Sequence, residues 1–187
     1  LSLCGDESWK EGFGPFLPGS CILPYGDIDA LEKELKKKDV AALIVEPIQG
    51  EGGVRELSQD QWNKIQSLCR KYGTLLILDE IQSGMGRTGE FFAFEHWNLE
   101  PDLVCLSKAI TNGIVPCSVT LGTSKVFPGV FNRLDRCVVH SSTFGENNLA
   151  MAAALAVLHQ IEQKKLVDRA ASIGELLKKK LRNELKG

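Results

Sequence analysis

One stretch, from Thr74 to Lys108, limits the folds this chain can adopt. Thr74-Leu75-Leu76-Ile77-Leu78 is a short apolar run rich in branched residues, which predicts a strand buried on both faces of a parallel sheet. Asp79 and Glu80 stand at its C-terminal end. Gln82 follows, and Ser83-Gly84-Met85-Gly86-Arg87-Thr88-Gly89 forms a glycine-rich turn. A second apolar run, Leu103-Val104-Cys105-Leu106, predicts another strand and ends at Ser107-Lys108-Ala109. Ligands of open α/β sheets bind outside the carboxyl ends of the strands. An acid, an amide and a lysine therefore leave neighbouring strand ends and can converge on one ligand.

The rest of the chain supports an α/β fold. Leu1 to Tyr25 is rich in Gly, Pro and aromatic residues, has no clear period and reads as a loop. Asp27 caps a helix from Ile28 to about Lys38, with Leu31 and Leu35 on its inner face. Val40–Val45 predicts a buried strand that ends at Glu46-Pro47. Ser58 caps a second helix whose inner face carries Trp62, Ile65, Leu68 and Cys69, and Gly73 stops it. Cys117–Leu121 and Arg136–His140 predict two further strands. From Asn147 the pattern is helical, through Leu149, Ala152, Ala153, Ala156, Val157 and Ile161. Leu166, Ala170, Ile173, Leu177 and Leu181 then mark an amphipathic helix ending at Gly187. Strands alternating with helices imply right-handed crossovers and a parallel sheet.

The 187 residues suffice for one sizeable domain with its own core. A net charge of −2, with no basic block interleaved with aromatics, argues against a nucleic-acid surface. No apolar run approaches the length of a membrane span, and Leu1 opens no signal-peptide pattern. The six cysteines form no Cys-x-x-Cys pair, which argues against a metal site or a disulfide framework and for reduced thiols in a cytosolic protein.

Two nucleotide-binding readings compete for the central stretch. Asp79-Glu80 after an apolar strand is like a Walker B element, which would make the chain a nucleotide hydrolase; the Gly-x-x-x-x-Gly-Lys-Ser/Thr phosphate loop is missing from the sequence. Gly84-Met85-Gly86-Arg87-Thr88-Gly89 fits Gly-x-Gly-x-x-Gly, but Asp79 to Ser83 separate it from the strand, so the glycines read as a tight turn. Arg87 is open to a structural role or to a place in the site.

A third reading rests on ordered motifs. They are Val45-Glu46-Pro47-Ile48-Gln49-Gly50-Glu51-Gly52-Gly53, Leu78-Asp79-Glu80-Ile81-Gln82-Ser83-Gly84, Gly86-Arg87-Thr88-Gly89, Pro101-Asp102, Ser107-Lys108-Ala109 and His140-Ser141-Ser142-Thr143-Phe144-Gly145. With Phe13-Gly14-Pro15-Phe16 near the start, the series resembles the class III (ω-) aminotransferases, the pyridoxal-phosphate enzymes that include ornithine, acetylornithine and 4-aminobutyrate aminotransferases. The resemblance covers nearly the whole chain. It implies part of the large domain of a fold-type I pyridoxal-phosphate transferase. Residues 1–26 would be a loop, 27–164 the α/β core, and 165–187 a helix leading toward a small domain.

The resemblance also implies roles. Lys108 would hold pyridoxal 5′-phosphate as a Schiff base and move a proton during transamination; such a lysine needs its pKa lowered before it attacks an aldehyde. Asp79 would keep the pyridine nitrogen protonated, making the ring an electron sink. Gln82 would donate to the phenolic oxygen, and Glu46 would sit near cofactor and substrate. Glu51 would match a glutamate that pairs with a substrate-gating arginine. Ser142 and Thr143 would reach the phosphate of a neighbouring subunit's cofactor, which implies a homodimer. Their plainer alternative is a helix N-cap, and His140 is read as a packed or capping histidine. The implied reaction moves an amino group from an ω-amino donor to a 2-oxo acid by a ping-pong mechanism. The expected location is the cytoplasm, or the mitochondrial matrix if a targeting segment lies upstream.

Departures narrow the inference. Glu146-Asn147-Asn148 stands where most members have Gly-Asn-Pro, and Thr111-Asn112-Gly113 replaces a more glycine-rich string. The family's upstream phosphate loop, its ring-stacking aromatic and its C-terminal small domain have no counterpart in the sequence. The natural protein is therefore expected to be longer. A racemase or aminomutase of the same chemistry, and a catalytically inactive fragment, stay open beside the transaminase.

Overall fold

The computed structural model describes residues 1–185. Helix α1 (Ile28–Leu35) begins where Asp27 accepts the Ala30 N–H at 2.9 Å. It stops short of the expected Lys38, which sits in a turn with φ of 61°. Strand β1 (Ala42–Val45) follows. The short strands β2 (Ile48–Gln49) and β3 (Arg55–Glu56) pair as an antiparallel hairpin. Helix α2 (Gln59–Tyr72) opens on a capping box: Ser58 N–H donates to Gln61 Oε1 at 3.0 Å, and Gln61 N–H donates to Ser58 Oγ at 3.3 Å. Gly73 closes it, as the sequence predicts. Strands β4 (Leu75–Asp79), β5 (Leu103–Leu106) and β6 (Val119–Gly122) complete the sheet. After the short α3 (Phe127–Val130) come two long helices, α4 (Asn148–Gln163) and α5 (Leu166–Glu184).

The sheet order is β1-β4-β5-β6. The first three strands are parallel, with Leu78 beside Val45 on one side and Val104 on the other. β6 runs antiparallel to β5, which leaves the sheet mostly parallel. The link between β5 and β6 holds only a one-turn 3-10 helix, Lys108–Thr111, before the chain reverses. A parallel return needs a full crossover, usually a helix, and none lies there.

Register explains which residues form the core. Leu76, Leu78, Val104 and Leu106 share one face of the sheet and are buried. Under them lies a cluster of Leu31, Leu35, Trp62, Ile65 and Cys69 from α1 and α2. A second cluster joins Val104, Leu106, Met85 and Ile110 to Ala154 of α4. The opposite face carries Ala42, Ile44, Leu75, Ile77, Asp79, Leu103 and Cys105, each half-buried or exposed. The expectation of strands buried on both faces is thus corrected. Every helix that offers an apolar stripe to the sheet packs on the same side, so alternate residues of each strand lose their cover.

Two further expectations change. Arg136–His140 is not a strand; Leu134–Arg136 form a 3-10 turn and Val138 and Val139 are exposed. β-Branched residues favour a sheet only where a strand stands ready to pair, and among the described residues no strand pairs with this segment. The apolar stripe of α5 is present but open: Ile173, Leu177 and Leu181 are about half exposed. The expected end of that helix at Gly187 lies outside the described residues.

Candidate functional site

The site begins at the end of β4. Strand period two puts Asp79 on the open face and Glu80 on the buried one. Asp79 Oδ1 accepts the Ile81 N–H at 2.9 Å, which turns the chain out of the sheet. Glu80 is fully buried. One of its carboxylate oxygens accepts the Ser83 hydroxyl at 2.5 Å and the other accepts the Phe94 N–H at 2.9 Å. Burial pushes its carboxyl above the ordinary value, opposed by those two bonds. The acid thus ties the glycine turn to the 3-10 helix Ala93–Trp97. A nucleotide hydrolase of the Walker B type would need this second acid at the ligand, and it faces the core instead.

The glycine turn is a packing device. Side chains at Gly86 and Gly89 would press within 3.0 Å of Val167 and Ala171 on α5. Arg87 folds back, its guanidinium donating to the Gln82 carbonyl at 2.9 Å.

Gln82 and Lys108 meet across the strand ends. Lys108 follows β5 and opens the one-turn helix with φ of 47°, in the left-handed region. Its side chain is exposed, and Nζ donates to Gln82 Oε1 at 3.4 Å. The Gln82 carboxamide lies directly over Gly50: a Cβ there would stand 2.5 Å from Gln82 Cδ and 2.8 Å from Nε2. Gly50 is in turn held by Glu46, whose Oε2 accepts its N–H at 3.1 Å. So the loop after β1, the turn after β4 and the end of β5 converge through Glu46, Gly50, Gln82 and Lys108.

The surroundings are partly apolar. A cleft of about 860 Å³ runs past β1 and is lined by Ile44, Glu46, Gln49, Tyr25 and Asp79. The Tyr25 hydroxyl lies 3.3 Å from the Glu46 carbonyl oxygen and 3.2 Å from that of Pro47. Burial pushes this phenol up to about 12, and the Glu46 and Glu56 carboxylates add to the shift. Cys105 pairs with Asp79 across the sheet. Burial raises its thiol, and the Asp79 charge raises it further.

Other predicted residues lie apart. Ser142 and Thr143 are exposed in a turn closed by Gly145 N–H donating to Ser142 O at 3.0 Å. Neither caps α4; Asn147 does, accepting the Ala150 N–H at 2.9 Å. Among the described residues no side-chain hydrogen bond joins the pair to Asp79, Gln82 or Lys108. Glu51 is exposed in the β2–β3 turn. His140 is exposed too, against the expectation of a packed or capping histidine. The sequence reading missed the parts played by Glu80, Gly50 and Tyr25. Of these, Glu80 was within reach, because it continues the Leu76, Leu78 alternation into the core.

Comparison with known proteins agrees with this geometry. Residues 1–187 match the family described as Aminotransferase class-III. A putrescine aminotransferase from Pectobacterium atrosepticum is 43% identical over 182 residues, covering 95% of this chain and 38% of that protein. An ornithine aminotransferase structure from Toxoplasma gondii superposes with a TM-score of 0.91 at 40% identity, over 100% of this chain and 42% of its own. An (S)-enantioselective ω-transaminase from Thermomicrobium roseum gives a TM-score of 0.86 at 32% identity, over 96% of this chain and 44% of its own. The chain therefore spans less than half the length of each relative. These likenesses bear out the fold-type I expectation, with its mostly parallel sheet flanked by helices. A family match along its whole length, on a chain whose acid, amide and lysine stand at adjacent strand ends, places this protein in the class-III aminotransferase family.

Proposed function

We propose that this chain carries the cofactor-holding part of a pyridoxal-phosphate-dependent transaminase. The observation that carries the proposal is the meeting of Lys108 Nζ with the Gln82 carboxamide at 3.4 Å, beside the strand end that presents Asp79. The donor set fits pyridoxal phosphate: an amine for its aldehyde, an amide for its ring oxygen and a carboxylate for its ring nitrogen. Its phosphate would draw on Ser142 and Thr143 of a second copy, which makes the working form a homodimer. When bound, the cofactor supplies a cationic ring that takes up electrons from the substrate carbon.

The chain's own residues supply the rest. Lys108 must be uncharged to act, since only the free amine is a nucleophile or a base. Lys108 Nζ would then take the proton from the amine-bearing carbon of the donor. The Asp79 carboxylate favours a protonated nitrogen beside it. Glu46 holds the loop that backs Gln82, and Glu51, exposed in the β2–β3 turn, would pair with a gating arginine. The donor gives up its amino group, takes oxygen from water and leaves as an oxo product; the 2-oxo acid then takes the amino group and gives up its oxygen as water. Two substrates using one site in turn give ping-pong kinetics. The putrescine and ornithine relatives support a donor with a terminal amine. The proposal includes a cytoplasmic setting and the division into a loop (1–26), an α/β core (27–164) and a final helix (165–187). Among the described residues no helix is long and apolar enough to cross a membrane.

The test is a visible absorption spectrum of the purified chain with added pyridoxal phosphate, beside Lys108→Ala. A band that survives dialysis and is lost in the variant is expected. A folded, soluble wild-type chain with no such band would overturn the proposal.

A further inference from the structure

We infer that Gly50 is a positioning residue: its missing side chain is the seat of the Gln82 carboxamide, and it thereby sets the amide against Lys108. The inference rests on the proposed role of Lys108 and adds a residue to it. A Cβ at position 50 would overlap the amide group, at 2.5 Å from Cδ and 2.8 Å from Nε2. Gly50 does not need glycine for its backbone, which lies outside the left-handed region. The requirement at this position is space.

The Gly50 backbone has little freedom to retreat. Its N–H is held by Glu46 Oε2 at 3.1 Å. Its carbonyl accepts Gly53 N–H at 3.3 Å and Val54 N–H at 3.4 Å. The adjacent Gln49 is paired with Arg55 in the β2–β3 hairpin. Gln82 is pinned at its other end, where Arg87 holds its carbonyl. Between two fixed backbones, the free element is the end of the Gln82 side chain. An alanine at 50 would therefore swing the carboxamide away and take its oxygen from Lys108 Nζ. Glu46 acts in the same chain of contacts, one step further back.

The test measures Lys108 without any cofactor. The full chain is labelled with acetic anhydride across a pH series, and the rate at Lys108 is read by mass spectrometry of its peptide. Gly50→Ala, Gln82→Ala and the double variant are compared. Gly50→Ala and Gln82→Ala are each expected to change the Lys108 rate about threefold or more, the scale of one hydrogen bond's net contribution. The double variant should match Gln82→Ala alone, because the new methyl then meets no amide. Should Gly50→Ala fail to fold, folding of the double variant at the stability of Gln82→Ala would also support the inference. An unchanged rate in either single variant overturns it. So does a Gly50→Ala effect that persists without Gln82, or a double variant that also fails to fold. Because labelling needs no pyridoxal phosphate, this result is separate from the spectral test. A coupled labelling pattern in a chain that takes up no cofactor would leave the positioning intact and remove the transaminase reading.

Discussion

The strand-end cluster and the loop carrying Ser142 and Thr143 are built in opposite ways. Around Asp79, Gln82 and Lys108, each turn is fixed from inside the chain. The buried Glu80 clamps one turn, Arg87 clamps its exit, and Glu46 clamps the loop across from it. Around Ser142 and Thr143 the hydrogen bonds are short-range, from Gly145 N–H to Ser142 O, Ser141 Oγ to Val138 O and Asn147 Nδ2 to Phe144 O, and the surface is exposed, with Val138, Val139 and Phe144 turned outward. The first region carries its geometry within this chain. Among the described residues the second is held only by bonds within its own turn and to the start of α4, which accords with the proposed homodimer.

The comparison can be broken at its strongest point first. Lys108→Ala should lower transamination by the full-length protein by at least about a hundredfold, the lower end for losing a group that moves a proton in the reaction. Steady-state rates on a terminal-amine donor measure it, and a loss under tenfold would strip the cluster of its assigned chemistry. Glu80→Ala should come next. It leaves the Ser83 hydroxyl and the Phe94 N–H without their partner and opens a cavity, for about 2–4 kcal/mol of stability in denaturant unfolding. Glu80→Gln, which can keep both contacts, should lose far less.

The same residue gives the cluster a pH signature. Burial raises the Glu80 carboxyl above its ordinary value of 4.5 in the folded chain. The folded state therefore binds this proton more tightly than the unfolded state, and its contribution is complete below about that value. It is lost as pH rises through the raised one. Unfolding midpoints taken upward from pH 4.5 should fall for the native chain and stay flatter for Glu80→Gln.

A smaller effect sharpens the picture of Asp79. Its charge helps hold the Cys105 thiol up, so Asp79→Asn should lower the thiol pKa while leaving the larger shift from burial. Alkylation of Cys105 followed against pH reads this, and an unmoved profile would mean that Asp79 carries no charge there. The smallest effects belong to the other region. Ser142→Ala and Thr143→Ala should change the stability of this chain by no more than about 0.5 kcal/mol, as surface substitutions do. A larger loss in a thermal or denaturant melt would show that the loop is tied down after all.

How far the sequence could be read follows the same division. Where one residue type has one physical job, the sequence suffices: Ser58 starts α2, Gly73 ends it, and Asp27 caps α1. The strand-end placement of Asp79 and Lys108 was legible for a similar reason, since apolar runs mark where strands stop. The direction of β6 was not, because it depends on how the chain between Lys108 and Cys117 folds back and not on the strand's own residues. Arg136–His140 has the composition of a strand but no partner, and composition cannot supply one. Gly50 was hidden in a motif, and only the position of Gln82 shows why its side chain must be absent.

The left-handed backbone of Lys108 has a consequence for the history of such a site. For a residue with a side chain this conformation costs roughly 1–2 kcal/mol, and only glycine and asparagine adopt it readily. On its proposed role, the lysine is kept there against the local preference of the chain. A descendant freed from the need for the amine would gain by replacing it, and the replacement most favoured by the backbone would be Gly or Asn. The residue at this one position would therefore record whether a lineage still used the site, even where the surrounding fold had been retained for another purpose.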